Sequence, residues 1–78
     1  MRNLENATDF INRVVSNNDN IIIRVTANDI LPIVGTKENV LRKLFAKNYS
    51  LYVNTIKIAN YDGIDNILID CLFRNWVD

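Results

Sequence analysis

Between residues 51 and 58 the apolar positions change parity, from odd (Leu51, Val53) to even (Ile56, Ile58). Side chains alternate between faces along a strand, so one uninterrupted strand cannot carry both pairs into the same core. A two-residue turn at Asn54-Thr55 removes the conflict by setting Val53 against Ile56 and Leu51 against Ile58, with Tyr52 opposite Lys57. The spacing predicts a β-hairpin over 50–59. A chain of 78 residues buries only about 60 % of its unfolded surface, so most of its large apolar side chains must serve one small core.

The remaining patterning supplies what packs on that hairpin. Leu4, Ala7, Phe10, Ile11, Val14 and Val15 recur at spacings of three and four and predict an amphipathic helix over 3–16. Turn residues at 17–20 end it, and the β-branched run at 21–25 predicts a short strand with Ile21, Ile23 and Val25 on one face. Asp29 is the better N-cap for a short second helix, because it leaves Pro32 in the first turn, where the missing N–H costs nothing. Gly35 closes that segment. Thr36 caps a helix over 37–48 with Val40, Leu41, Leu44 and Phe45 as its apolar face. Asp62 caps a last helix running to about residue 76, with Ile64, Ile67, Leu68, Cys71, Leu72 and Trp76 on its buried side. The expected fold is a single α+β domain over 1–78 in the order α-β-α-α-β-β-α. It is a winged helix-turn-helix with a small antiparallel sheet, with an N-terminal helix at 1–18 and a winged-helix core at 21–76.

Absences narrow the chemistry. The chain has no histidine, one cysteine and two glycines. His-dependent triads, His-containing metal sites, paired-cysteine motifs and phosphate-cradling glycine loops are therefore excluded. No nucleophile and base can be paired, so the expectation is a protein that is not an enzyme and uses no cofactor or metal. The first residues lack the apolar stretch of a signal peptide, and no apolar run is long enough to span a bilayer, which points to the cytoplasm. Cys71 lies on an apolar stripe and reads as a small core residue.

Charge is segregated although the formal net charge is zero. Residues 36–60 hold Lys37, Arg42, Lys43, Lys47 and Lys57 against Glu38 alone, a net of +4, whereas 1–35 carry −1 and 61–78 carry −3. A short helix, a glycine turn, a basic helix and a hairpin, in that order, match a helix-turn-helix followed by a wing, with the positive charge where phosphates would lie. Asn39 and Asn54 add polar groups for bases or phosphates.

The residues Val25-Thr26 with Asp29, Gly35-Thr36-Lys37-Glu38-Asn39, Leu41-Arg42-Lys43-Leu44 with Asn48, and Ile56-Lys57-Ile58 carry a resemblance over roughly 21–74. The chain resembles the excisionases of conjugative transposons and temperate phages of low-GC Gram-positive bacteria, which are small winged-helix proteins. The resemblance implies that the helix starting at Lys37 enters the major groove of double-stranded DNA and that the hairpin tip touches the adjacent backbone or minor groove. It also implies that several copies associate on DNA and bend it for an integrase. The candidate nucleic-acid contacts are Lys37, Asn39, Arg42, Lys43, Lys47, Asn54 and Lys57.

A second class stands beside this one. An acidic or apolar surface also suits a small phage-encoded inhibitor, an antirepressor or anti-defence protein, that works by contact with a host or phage regulatory protein. The acidic residues of 61–78, the N-terminal helix, and Trp76 as an anchor are its candidate surfaces.

Overall fold

The computed structural model describes residues 4–25 and 30–73. Its elements are α1 (Ala7–Val14), β1 (Asn20–Arg24), β2 (Ile33–Thr36), α2 (Lys37–Lys47), β3 (Leu51–Tyr61) and β4 (Ile64–Phe73). The strands form one mixed sheet in the order β2-β1-β4-β3, with β1 antiparallel to β2, β4 antiparallel to β3, and β1 parallel to β4. The fold is α+β, in the order α-β-β-α-β-β. The winged helix-turn-helix and its antiparallel sheet are not what forms.

Three local readings change with it. The parity switch in β3 is a β-bulge and not a turn: Val53 faces Cys71 and Thr55 faces Asp70, leaving Asn54 as the extra residue. One inserted residue shifts every later side chain to the opposite face, which brings Leu51, Val53, Ile56 and Ile58 to the same side without a chain reversal. The true turn is Asp62-Gly63. Both residues have positive φ, 53° and 81°, and Tyr61 pairs with Ile64 across them, as a two-residue hairpin loop of mirror-image type requires.

The expected C-terminal helix is therefore β4 through Phe73, and Trp76 lies outside the described residues. As a central strand β4 is flanked by β1 and β3, and Leu68 and Ile69 are both buried although they point to opposite faces. Apolar residues on both faces break the period of two and produce spacings that a helix also satisfies. The expected short helix after Asp29 is the third correction. Asp29 itself lies outside the described residues, Ile30–Pro32 are irregular, and Ile33–Thr36 pair with β1. A proline followed by β-branched residues suits the start of an edge strand.

The two long-range helical readings hold in outline. Asn6 caps α1 with its side-chain oxygen, accepting from the N–H groups of Thr8 at 2.9 Å and Asp9 at 3.3 Å. Ala7 and Ile11 of α1, and Val15 just beyond it, face the sheet and are buried. Thr36 occupies the N-cap position of α2 without a side-chain capping bond, and Asn48 ends the helix in the left-handed conformation. Helix α1 packs against β3, while α2 packs against β2 and β1. Between them lies the core, built on Ile11, Ile21, Ile23, Val40, Leu44, Leu51, Ile69 and Cys71. Ile21, Ile23 and Val25 share the buried face, as the sequence predicts.

Candidate functional site

The predicted contact residues fall in two places at opposite sides of the sheet. Lys37, Asn39, Arg42, Lys43 and Lys47 stand on α2, over β1 and β2, whereas Asn54 and Lys57 belong to β3 at the other sheet edge. Lys57 pairs with Leu68, on the sheet face turned away from the helices. A single groove-facing surface does not contain them all.

On α2 most of the cations are engaged within the molecule. Arg42 bridges to Glu38 one turn earlier at 2.8 Å, and both side chains are largely exposed. Such a pair contributes only about 0.3–0.5 kcal/mol. Lys43 Nζ donates to the Val34 carbonyl at 3.1 Å, and Lys37 Nζ donates to the Asn12 carbonyl at 3.3 Å, tying the start of α2 to α1. Lys47 Nζ lies 5.8 Å from the centre of the Tyr49 ring. Tyr49 in turn meets Phe73 edge-on at 5.3 Å. Asn39 is exposed, with its Cβ close against Gly35. A cleft of about 390 Å³ opens beside the first turn of α2, lined by Asn17, Thr36, Lys37, Glu38 and Leu41.

The sequence reading missed where the apolar surface lies. Phe45, expected in the core, is 85 % exposed. It follows Leu44, so it is turned about 100° away around the helix, beyond the strip that the two short strands below can cover. The larger concentration is on the β3–β4 hairpin. Ile56 is 46 % exposed, Ile58 64 %, and Tyr61 and Ile64 53 % each. These four lie on the part of the hairpin that runs past the helices, Ile56 and Ile58 on the helix side of the sheet, Tyr61 and Ile64 beside the turn. Asp62-Gly63 between two alternating runs was the signal that would have located this arm.

The outer edge of β3 is covered only at its beginning. The Glu5 carbonyl accepts the Val53 N–H at 2.8 Å, and Asn6 bridges to Tyr52. From Thr55 to Tyr61 no strand among the described residues pairs with that edge. Tyr49 and Tyr52 are half-buried and Tyr61 is exposed.

Reactive chemistry is correspondingly thin. Cys71 is buried between β3 and β1, and burial, with a smaller push from Asp70, raises its thiol to about 12. Among the described residues no group of three or more Cys, Asp or Glu side chains is arranged to hold a metal ion. No helix among them is long and apolar enough to cross a membrane. Compared with protein-family models, curated proteins and solved structures, the chain matches none.

Proposed function

We propose that this chain acts without catalysis, by protein contact through its β3–β4 arm, as a small inhibitor or regulator does. One observation carries the reading: the far part of one hairpin exposes apolar side chains on both of its faces, Ile56 and Ile58 on the helix side and Tyr61 and Ile64 on the opposite side, in a domain that already has a filled core. Apolar side chains left exposed on both faces of one protruding arm mark a contact surface more often than a stability device. The acidic residues Asp62 and Asp65 sit at the same tip and give it polarity.

A photo-activatable side chain placed at position 58 in producing cells tests this. The expected product is a discrete protein adduct at 58 and none at the exposed position 12. No adduct at 58, or equal labelling at both positions, would overturn the reading.

Arg42, Lys43 and Lys47, exposed on α2, favour a second reading in which that helix lies against nucleic-acid phosphates. It lacks the helix-turn-helix frame implied by the excisionase resemblance, so it is a backbone contact without groove docking. Anisotropy titration with random duplex DNA at low salt separates the two: a salt-sensitive signal supports this reading and silence removes it.

A further inference from the structure

We propose that the occupant of the β3 edge is a second copy of this chain, which pairs antiparallel through residues 56–60 about a two-fold axis at Ile58 and joins two sheets into one of eight strands. The inference rests on the reading of the arm as a contact surface and names its partner.

The hydrogen-bond geometry of the edge comes first. A two-residue hairpin closes on a hydrogen-bonded pair, here Tyr61 with Ile64. In an antiparallel ladder such pairs alternate with non-bonded ones, so Tyr61, Ala59, Lys57 and Thr55 direct their backbone groups toward β4. Ile56, Ile58 and Asn60 direct theirs outward. The Val53 N–H, which reaches outward to Glu5, lies on the other side of the bulge, where the alternation has shifted by one residue. Three consecutive outward residues form a pattern complementary to itself under antiparallel pairing. With Ile58 opposite Ile58 and Ile56 opposite Asn60, about six backbone hydrogen bonds form.

Charge selects that register. Centring the axis on Lys57 would set two lysines directly opposite each other, which is unfavourable in a cross-strand pair. Centring it on Ile58 sets Lys57 against Ala59. It also brings each Lys57 within about 11 Å of the partner's Asp62, measured along and across the strands, compared with about 16 Å to its own. The edge carries no proline and a single lysine, Lys57. Those are devices that protect isolated edges from such pairing, and beyond the bulge at Asn54 they are nearly absent. A formal net charge of zero means that two copies meet without long-range repulsion. Pairing about a two-fold normal to the sheet keeps both helical layers on one side, where Ile56 and Ile58 of the two copies form a shared apolar floor.

Sedimentation equilibrium of the full chain, from about 10 µM to about 1 mM, covers the range in which an interface below the standard size associates. The expected result is a mass that rises with concentration from 9.0 kDa toward twice that value. Ile58→Pro removes an outward N–H without touching the β4 ladder and should hold the chain monomeric, with association weakened at least tenfold. Ile56→Lys with Ile58→Lys, both at exposed positions, should do the same and serves if the proline variant does not fold. Phe45→Lys, on the other side of the molecule, should change nothing. A wild-type mass of 9.0 kDa throughout, or a dimer that survives the double lysine variant, overturns the proposal. Failure of this inference is distinguishable from failure of the contact reading. A monomer that yields a foreign protein adduct at position 58 removes only the self-pairing; a monomer with no adduct removes both.

Discussion

Asn60 and Asp65 face each other across the β3–β4 hairpin, with Asn60 Nδ2 donating to Asp65 Oδ1 at 2.9 Å while Asn60 Oδ1 accepts the Gly63 N–H at 3.2 Å. The one side chain braces both strands and the turn. Gly63 itself has a φ of +81° with open space where a Cβ would stand, so the cost of a side chain there is backbone strain alone. Gly63→Ala should lower stability by about 1 kcal/mol in chemical denaturation. Gly35→Ala should cost more, because a φ of +153° is joined by crowding: an added Cβ would stand only 3.1 Å from Asn39 Cβ. Equal losses at the two positions would contradict this geometry.

Leu44 is buried on the face of α2 that meets the sheet, whereas Phe45, one position further round the helix, is left in solvent. Leu44→Ala should cost about 2–5 kcal/mol, a large part of the stability of so small a domain. Phe45→Ala should change stability by less than about 0.5 kcal/mol. Urea denaturation of the pair checks the orientation of α2, since a helix rotated by one residue would reverse the order.

The bulge at Asn54 gives a test by insertion and deletion. Removing Asn54 forces the buried Leu51 and Val53 to the wrong face as long as β3 keeps its register with β4 beyond the bulge, and the chain should then lose most of its cooperative transition. One glycine added between Asp62 and Gly63 should cost less than about 1 kcal/mol, because it lengthens an exposed hairpin loop. Thermal melts of both variants read the difference. Tolerance of the Asn54 deletion would mean that the strand is not fixed in this register.

Cys71 titrates near 9 in its ordinary state and near 12 when folded, because burial disfavours the thiolate. The unfolded chain therefore loses the proton first as pH rises. Stability should be independent of this group below pH 9 and fall by up to about 1.4 kcal/mol per pH unit on the way to 12. Cys71→Ala should flatten that slope. Alkylation of the wild-type thiol at about pH 8 should proceed only as fast as the chain opens.

Arg42 and Lys43 bear on the nucleic-acid reading. Reversing both to Glu leaves Val40 and Leu44 in place, so the fold should persist with a change of about 1 kcal/mol or less. If α2 meets phosphates, the reversal should abolish a salt-sensitive DNA signal and Lys43→Ala should flatten the log-affinity versus log-salt slope by about one unit. If the arm is the working surface, the reversal should leave protein adducts at position 58 unchanged.

Where a single face is buried, the fold is legible in the residues. The stripe of α1, the alternation of Ile21, Ile23 and Val25, and the extent of α2 all follow from one-sided periodicity. Legibility fails where a strand is apolar on both faces. Ile67, Ile69 and Cys71 alternate as a strand should, but Leu68 and Leu72 fill the intervening positions and the sum imitates a helix. The parity switch was visible, and so was the need for a device to explain it. A turn and a bulge satisfy the same parity constraint, and only the competing Asp62-Gly63 turn decides between them. The basic residues were legible as a cluster in sequence but not in space, because β3 lies three strands away from β2.

The strand that holds the sheet together is the last one made. Asn20 pairs with Asn66 and Arg24 with Asp70, so β1 and β2 belong to no common sheet with β3 until β4 slides between them. A nascent chain that has emerged only through β3 has no strand pairing between β3 and the β1–β2 pair, and the contacts of α1 with β3 and α2 relate the two. Folding of this domain must await nearly its whole length, with the slow search that contacts distant in sequence impose. A stop codon anywhere before residue 64 would leave no continuous sheet, only the β1–β2 pair and an unpaired β3 held near each other through the helices.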